Sequence, residues 1–321
     1  DYTVSVTDNN DSVKINAAAF LENAVVSVNG TAVTGETSVP LSGDETVITV
    51  KAAMEDAPSQ AREYKIHVLR KKSVKLTLKI DPADTVITLK DADSKKLKAE
   101  NGVYTLKAEE TYSYVAVKAG YVTKKDTISV TEDTEKTITM EKAPESTRKD
   151  VSAAWKNFRN SDDNMGITSA KTPTSEATTY EKWFKKLGSG WGAAPSVQII
   201  VDNSLIVMSA NHIYKLDLNT GDILQTGDMV AATNFGYTPP TYADGMIFAP
   251  LADGRVQAFN AETLESLWVY QDTLKGQSLS PITYSDGYIY TGFWNAETKD
   301  ANYVCIPVTD EDPTNAQEAK E

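Results

Sequence analysis

Ala243-Asp244-Gly245-Met246-Ile247-Phe248 places an Asp-Gly pair before an apolar run, and this pattern repeats along the chain. It occurs 42 residues earlier in Val201-Asp202-Asn203-Ser204-Leu205-Ile206 and 42 residues later in Ser285-Asp286-Gly287-Tyr288-Ile289-Tyr290. Asp-Gly and Asp-Asn pairs supply the left-handed backbone of a tight β-hairpin turn. A period of about 40–50 residues, with several short strands per unit, is typical of β-propeller blades. Because one blade cannot bury both faces of its own sheet, the repeat predicts about three blades, stacked on one another, within residues 191–321.

A second landmark recurs in phase with these turns. Lys215 through Gln225 lies 43 residues before Ala258 through Trp268. The later copy resembles the tryptophan-docking motif of quinoprotein-type, or PQQ-like, propellers. The matching residues are Ala258, Thr263 and Trp268 in the later copy and Asp217, Thr220 and Gly221 in the earlier one. In that family the tryptophan packs between adjacent blades, so the resemblance implies a structural role for all of these positions.

Three blade patterns are too few for a closed ring, which needs roughly 4–8 blades. Trp183 follows a Thr-rich segment and precedes the first inner strand, which suggests an outer strand that completes the last blade. We therefore expect the remaining blades to come from a longer protein or from a second polypeptide.

Residues 1–71 alternate β-branched runs with turn signals such as Asn29-Gly30. Period-two alternation of this kind predicts a small antiparallel sandwich. The order of Val28-Asn29-Gly30, Pro40-Leu41-Ser42-Gly43 and the closing Tyr64–Val68 run resembles the bacterial cadherin-like β-sandwich family. The calcium-ligand motifs of true cadherins are not evident, and Asp8-Asn9-Asn10-Asp11 is interpreted as a solvated turn.

A second small sandwich is predicted over residues 72–143. Its Asp81-Pro82-Ala83, Gly102–Leu106 and Lys118–Val122 segments resemble the PEGA domain, another envelope module. Residues 144–190 are interpreted as a linker and propeller entry strand, with one helical turn near Val151–Phe158. The fold class expected for the whole chain is therefore all-β, with two sandwiches followed by the first blades of an incomplete PQQ-like propeller.

Charge and composition exclude several function classes. The formal net charge is −13, and residues 144–321 carry 13 basic and 23 acidic side chains, a net −10. Such a surface repels phosphate backbones and anionic lipids, so we expect no nucleic-acid partner. No stretch of the sequence approaches the roughly 18 consecutive apolar residues that span a bilayer, so we expect no membrane insertion. Cys305 is the single cysteine and is predicted to be a buried strand residue. The absence of stapling disulfides favours an exported protein of a bacterial cell surface over a secreted eukaryotic one.

Catalytic signatures are missing from the sequence. His67 and His212 lie far apart, no Gly-x-Ser-x-Gly elbow occurs, and Asp162-Asp163 lies in a polar stretch. Asp217, Asn219 and Asp222 are explained better by a turn than by a calcium site. We expect no enzyme activity, no cofactor and no metal site. The alternative is an enzyme, for example PQQ- and calcium-dependent, whose site lies on blades outside this chain.

Binding of a protein or glycan ligand is the function class that remains. The loops at Gly192–Ala194, Phe235–Tyr237 and Gln277–Leu279 precede inner strands and should gather at one rim of the propeller. Phe235, Tyr237, Phe293 and Trp294 could offer aromatic platforms there, although blade packing is the competing explanation. The predicted function is a non-catalytic surface protein in which the sandwiches are spacers and the propeller binds an extracellular protein or glycan.

Overall fold

The computed structural model describes residues 1–21, 23–57, 59–233, 238–296 and 299–320, and it is all-β. Short 3-10 turns at Glu176–Thr178 and Trp191–Ala193 are the helical elements of these ranges. The chain divides into two compact units. Unit 1 comprises residues 1–116 and 124–140, and unit 2 comprises residues 117–123 and 141–321.

Unit 1 begins with a sandwich of seven strands. They are β1 (Tyr2–Thr7), β2 (Ser12–Asn16), β3 (Ala24–Val28), β4 (Thr31–Val33), β5 (Glu36–Pro40), β6 (Glu45–Met54) and β7 (Ala61–Lys71). The larger sheet has the order β1-β7-β6-β3-β4, and β2 pairs with β5 in the smaller one. Val28, Val39, Ile48 and Val68 are buried in its core. The expected antiparallel pattern holds except at β1, which runs parallel to β7.

The second sandwich of unit 1 has two three-stranded sheets, β10-β8-β13 and β12-β11-β9. Their strands are β8 (Ser73–Asp81), β9 (Val86–Lys90), β10 (Val103–Lys107), β11 (Thr111–Val117), β12 (Lys124–Ser129) and β13 (Thr134–Thr139). In β8, Val74 and Leu76 are buried while Lys75 and Lys79 are exposed, because successive side chains of a strand point to opposite faces.

Unit 2 contains three successive sheets, which we call the first, second and third blades. The first blade has the order β14-β15-β16-β17-β18, the second β19-β20-β21-β22-β26 and the third β23-β24-β25. The strands of the first blade are β14 (Ala153–Trp155), β15 (Ile199–Val201), β16 (Ser204–Ser209), β17 (His212–Asp217) and β18 (Ile223–Asp228). Those of the second are β19 (Thr241–Ala243), β20 (Met246–Leu251), β21 (Arg255–Asn260), β22 (Ser266–Gln271) and β26 (Glu318–Lys320), and those of the third are β23 (Thr283–Ser285), β24 (Tyr288–Gly292) and β25 (Tyr303–Pro307).

The blades stack face to face, as the repeat predicts. All six residues of β20 are buried. Ile247, Ala249 and Leu251 share one apolar cluster with the first blade, whereas Met246 and Phe248 share another with the third. The second blade therefore has both faces covered by its neighbours, which is the physical reason for the repeat.

The predicted helical turn near Val151–Phe158 is wrong. Residues 153–155 instead form β14, which pairs with the inner edge of β15. Two further backbone bonds of 2.7 Å hold this segment. The Ser152 carbonyl accepts one from the N–H of Asp202, directly after β15, and the Lys156 carbonyl accepts the other from the N–H of Tyr242 in β19. These open inner edges offer hydrogen-bond partners that a single helical turn lacks, so tertiary pairing overrides local propensity.

Two further expectations are corrected. The outer strand predicted at Trp183 is not formed, since no strand lies between β14 and β15. Cys305, predicted to be buried, is exposed, because β25 is the edge strand of a three-stranded blade with no outer strand beside it among the described residues.

Candidate functional site

The motif turns at the outer ends of β17 and β21 have the same hydrogen-bond pattern. Asp217 Oδ1 accepts hydrogen bonds from the backbone N–H groups of Asn219 (2.7 Å) and Thr220 (2.9 Å). These bonds lower the pKa of the Asp217 carboxyl. In the second blade Asn260 Oδ1 accepts the equivalent bonds from Glu262 and Thr263, at 2.9 and 3.2 Å. The change from Asp to Asn therefore keeps the turn, since an amide oxygen accepts the same bonds.

Trp268 is fully buried between the second and third blades. Its indole Nε1 donates a hydrogen bond to the Val308 carbonyl at 3.3 Å, and its ring lies 5.8 Å from that of Phe248. Lys320 Nζ lies 5.3 Å from the indole centre, within cation–π range. This is the docking role that the sequence motif implies.

Trp183 docks on the first blade instead of forming a strand. Its Nε1 donates a hydrogen bond to the Leu218 carbonyl at 3.1 Å, and its ring covers Gly221. Gly221 has φ +72°, and a Cβ there would collide with the indole. Glycine is thus required at this position both for its backbone conformation and for the close approach of the ring.

The four aromatic residues proposed to bind ligand have different positions. Phe235 and Tyr237 lie outside the described residues. Phe293 is 2% exposed and stacks on Tyr270 at 6.1 Å between ring centres, so its ring is inside the blade and not at a ligand surface. Trp294 is 46% exposed. Of the two described residues, Trp294 therefore remains a candidate for ligand contact.

The backbone fixes the position of Trp294 in the third blade. Trp294 and Gln277 exchange two backbone hydrogen bonds, of 2.6 and 2.9 Å, which join the end of β24 to the predicted rim loop. Leu279 and Leu274, on the same loop, are 39% and 38% exposed. We call these three exposed apolar side chains, which lie on two chain segments that the Gln277–Trp294 bonds join, the Trp294 patch.

A cavity of about 190 Å³ within unit 2, lined in part by charged side chains, was not found by sequence reasoning. Arg148 and Asp310 form an ion pair of 3.0 Å at its wall, with side chains that are 9% and 6% exposed. Loss of solvation raises the pKa of Asp310, while the positive charges of Arg148 and Lys320 lower it by a smaller amount. Asp244 also lines the cavity, and its pKa is raised by the same cause. Arg148 lies in the stretch assigned to a linker, and its pairing across 162 residues has no local sequence signal.

The two histidines lie beside different carboxylates. His67 Nδ1 lies 2.6 Å from Glu45, and His212 Nδ1 lies 2.9 Å from Asp228. Within the described ranges, no group of three His, Cys, Asp or Glu side chains is arranged to hold a metal ion. In that same part of the chain, no helix has the length and apolar character needed to cross a bilayer.

Two family models match parts of the sequence. The model described as a cadherin-like β-sandwich domain matches residues 1–71, and the model described as outer membrane protein assembly factor BamB matches residues 173–295. A comparison with curated proteins found no match. The resemblance of residues 72–143 to the PEGA domain stays a prediction.

Several solved structures are similar to the chain at low identity. The computationally designed Ika8 protein is 14% identical, with 90% of this chain and 83% of that one covered and a TM-score of 0.29. BamB from Moraxella catarrhalis is 10% identical, with 93% and 76% covered and a TM-score of 0.27. The Bacillus anthracis TIE protein is 8% identical, with 96% and 50% covered and a TM-score of 0.18. Residues 1–71 are thus similar to a cadherin-like β-sandwich domain and residues 173–295 to BamB, each as part of an all-β chain.

Proposed function

We propose that this chain is a non-catalytic binding protein of a bacterial cell surface, whose ligand contact is the Trp294 patch of the third blade. The ligand is a protein or a glycan of the cell envelope or its surroundings, and the two sandwiches serve as spacer modules. The observation that carries the proposal is the 46% exposure of Trp294, whose neighbour in sequence, Phe293, is buried.

Exposed tryptophan is costly to leave in water and is enriched among residues that dominate binding energy. The backbone bonds between Trp294 and Gln277 fix the main chain at Trp294, so little backbone ordering is needed when a ligand binds. Leu274 and Leu279, on the segment that carries Gln277, are further exposed apolar side chains. Both protein surfaces and sugar rings pack on such a platform.

The family matches support an envelope location. Cadherin-like sandwiches and BamB-type repeats both belong to families of extracellular or outer-membrane-associated proteins. An acidic, disulfide-free chain is compatible with export in bacteria.

The test measures binding of the labelled chain to a panel of immobilised envelope proteins and envelope glycans. We expect binding to at least one member, and Trp294→Ala should weaken it by about tenfold or more. Phe158→Ala is the matched control, since Phe158 is 41% exposed in the same unit. Both variants should keep the parent melting temperature. Equal affinity of Trp294→Ala and the parent for every bound member, or binding to none, would contradict the proposal.

A further inference from the structure

In each sandwich of unit 1 the first strand pairs directly with the last strand, and both pairs are parallel. The six residues of β1 pair with the end of β7, from Tyr2 opposite Ile66 to Thr7 opposite Lys71. The six residues of β13 pair with the end of β8, with Ile138 opposite Ile80. The neighbouring pairs β6–β7 and β8–β10 are antiparallel. We call the two parallel pairs the terminal ladders, because the chain enters and leaves each sandwich through them.

The direction of pairing decides how a terminal ladder responds to a pull along the chain. The pull acts on the N-terminal end of the first strand and on the C-terminal end of the last strand. In a parallel pair these two points lie at opposite ends of the ladder, whereas in an antiparallel pair they would lie at the same end. Tension therefore slides the two strands past each other and loads the evenly spaced ladder bonds together instead of one after another.

The two terminal ladders follow each other with almost no slack. Strand β7 ends at Lys71 and β8 begins at Ser73, so a single residue, Lys72, separates them. The Lys72 carbonyl also accepts a backbone hydrogen bond of 2.9 Å from the N–H of Ala108. Because one extended residue spans at most about 3.6 Å, tension that leaves the first ladder passes directly to the second.

Side chains brace this joint within unit 1. Asp8, directly after β1, donates its N–H to the Lys71 carbonyl at 2.8 Å, and its Oδ1 accepts a bond of 2.9 Å from the Ser73 N–H. Ser5 in β1 donates its hydroxyl to Glu110 Oε1 at 2.8 Å. These bonds connect β1 to the second sandwich, so they restrain rotation of the two sandwiches about the joint.

The terminal ladders are also backed by the cores. Val68 in β7, Leu76 in β8 and Ile138 in β13 are each at most 1% exposed. Water must reach the ladder bonds before it can replace them, and these apolar side chains close one face of the ladder to it. The buried face therefore adds to the barrier that sliding has to overcome.

We propose that the two sandwiches of unit 1 form a tether that bears tension along the chain. The inference deepens the spacer role proposed above and rests on it. A surface protein transmits a pull on its ligand through its own spacers, so these have to stay folded while the ligand is held. Survival under force depends on the unfolding rate, and the terminal ladders slow unfolding when the pull follows the chain.

The test is single-molecule pulling on the full chain, with one ladder loaded in two directions. Cys305→Ser removes the exposed natural thiol, and new cysteines carry the handles. Asp1→Cys with Lys72→Cys pulls at opposite ends of the first ladder. Asp1→Cys with Lys65→Cys is the matched control, because Lys65 lies beside the N-terminal end of β1 and the pull then opens the ladder from that end. All three handle positions are exposed.

At equal constant force, the first sandwich should stay folded longer by about tenfold or more when it is pulled at opposite ends, because several ladder bonds then have to break together. Melting temperature and circular dichroism should match those of the Cys305→Ser chain. Glu63→Cys, also exposed, replaces Lys65→Cys if that variant melts earlier.

The second ladder is loaded in the same two ways. Lys72→Cys with Glu141→Cys pulls at opposite ends, and Lys72→Cys with Glu132→Cys pulls at one end. The first combination should again survive longer. Equal lifetimes in the two directions, or a longer lifetime for the one-end pull, would overturn the proposal. No ligand takes part in this measurement, so its result is separate from that of the binding test on Trp294.

Discussion

Leu264 and Gly227 contact each other at the junction of the first and second blades. A Cβ added at Gly227 would lie 2.7 Å from the Leu264 carbonyl oxygen and 3.3 Å from the Leu264 Cβ. Leu264 is 2% exposed, yet its φ is +56°, a conformation that leucine rarely adopts. In the aligned motifs, Leu264 of the second blade corresponds to Gly221 of the first blade. Gln225 of the first blade corresponds to Trp268, so the first blade has no docking tryptophan at that position. The leucine side chain supplies the apolar contact at a junction without an indole.

Gly227→Ala should destabilise unit 2 by about 1–3 kcal/mol, because the added methyl group meets backbone that cannot move away freely. Urea unfolding followed by fluorescence measures the change. Gly192→Ala is the control, since no atom lies within 4 Å of the Cβ it would add. Similar losses in the two variants would show that the contact with Leu264 is not responsible.

Leu264→Ala should lower the free energy of unfolding of unit 2 by about 2–5 kcal/mol, as expected for a buried leucine. Leu264→Gly should lower it by no more than Leu264→Ala does, although the glycine variant removes one carbon more. The reason is that glycine adopts positive φ freely, whereas other residues lose about 1–2 kcal/mol there. The pair of variants is compared by the urea unfolding of unit 2. A clearly larger loss for the glycine variant would refute this account of backbone strain.

Arg148→Met should destabilise unit 2 by about 3–5 kcal/mol, because it removes the ion-pair partner of the buried Asp310 carboxylate. The double variant Arg148→Met with Asp310→Leu should recover most of that loss, since two apolar side chains of similar volume need no solvation. A double-mutant cycle in urea measures the coupling. Additive losses would mean that the two side chains do not depend on each other. Because the chain has two compact units, the urea unfolding transition of unit 2 is fitted separately from that of unit 1.

Asp244→Asn should raise the melting temperature of unit 2 slightly at neutral pH. The pKa of Asp244 is raised by desolvation and by the nearby Asp150, against the effect of Arg148. The folded state therefore holds this proton more tightly than the unfolded chain, and the destabilising contribution of Asp244 decreases as pH falls towards the ordinary Asp value of about 3.9. The advantage of the asparagine variant should shrink over the same interval.

Melting curves of both proteins between neutral pH and about pH 4 provide the measurement. Asp286→Asn, at the same hairpin position of the third blade, is the control, because Asp286 does not line the Arg148 cavity. An advantage of Asp244→Asn that grows in acid would reverse the predicted sign.

The sequence by itself determined the blades. The Asp-Gly and Asp-Asn turns at 202, 244 and 286 are local signals, because positive φ is needed at those positions and few residues accept it. The same holds for the motif turns at Asp217 and Asn260, whose side chains bond to backbone only two and three residues ahead. Alternating apolar residues then required neighbouring sheets to cover each face.

Only the tertiary structure decided how the remaining segments pair. The stretch at 153–155 became a strand because β15 offered an open edge. Cys305 stayed exposed because, among the described strands, none pairs with the outer side of β25. Trp183 reached Leu218, and Arg148 reached Asp310, across 35 and 162 residues. Such contacts depend on which surfaces folding brings together. The local residue pattern does not predict them, because the partners are far apart in sequence.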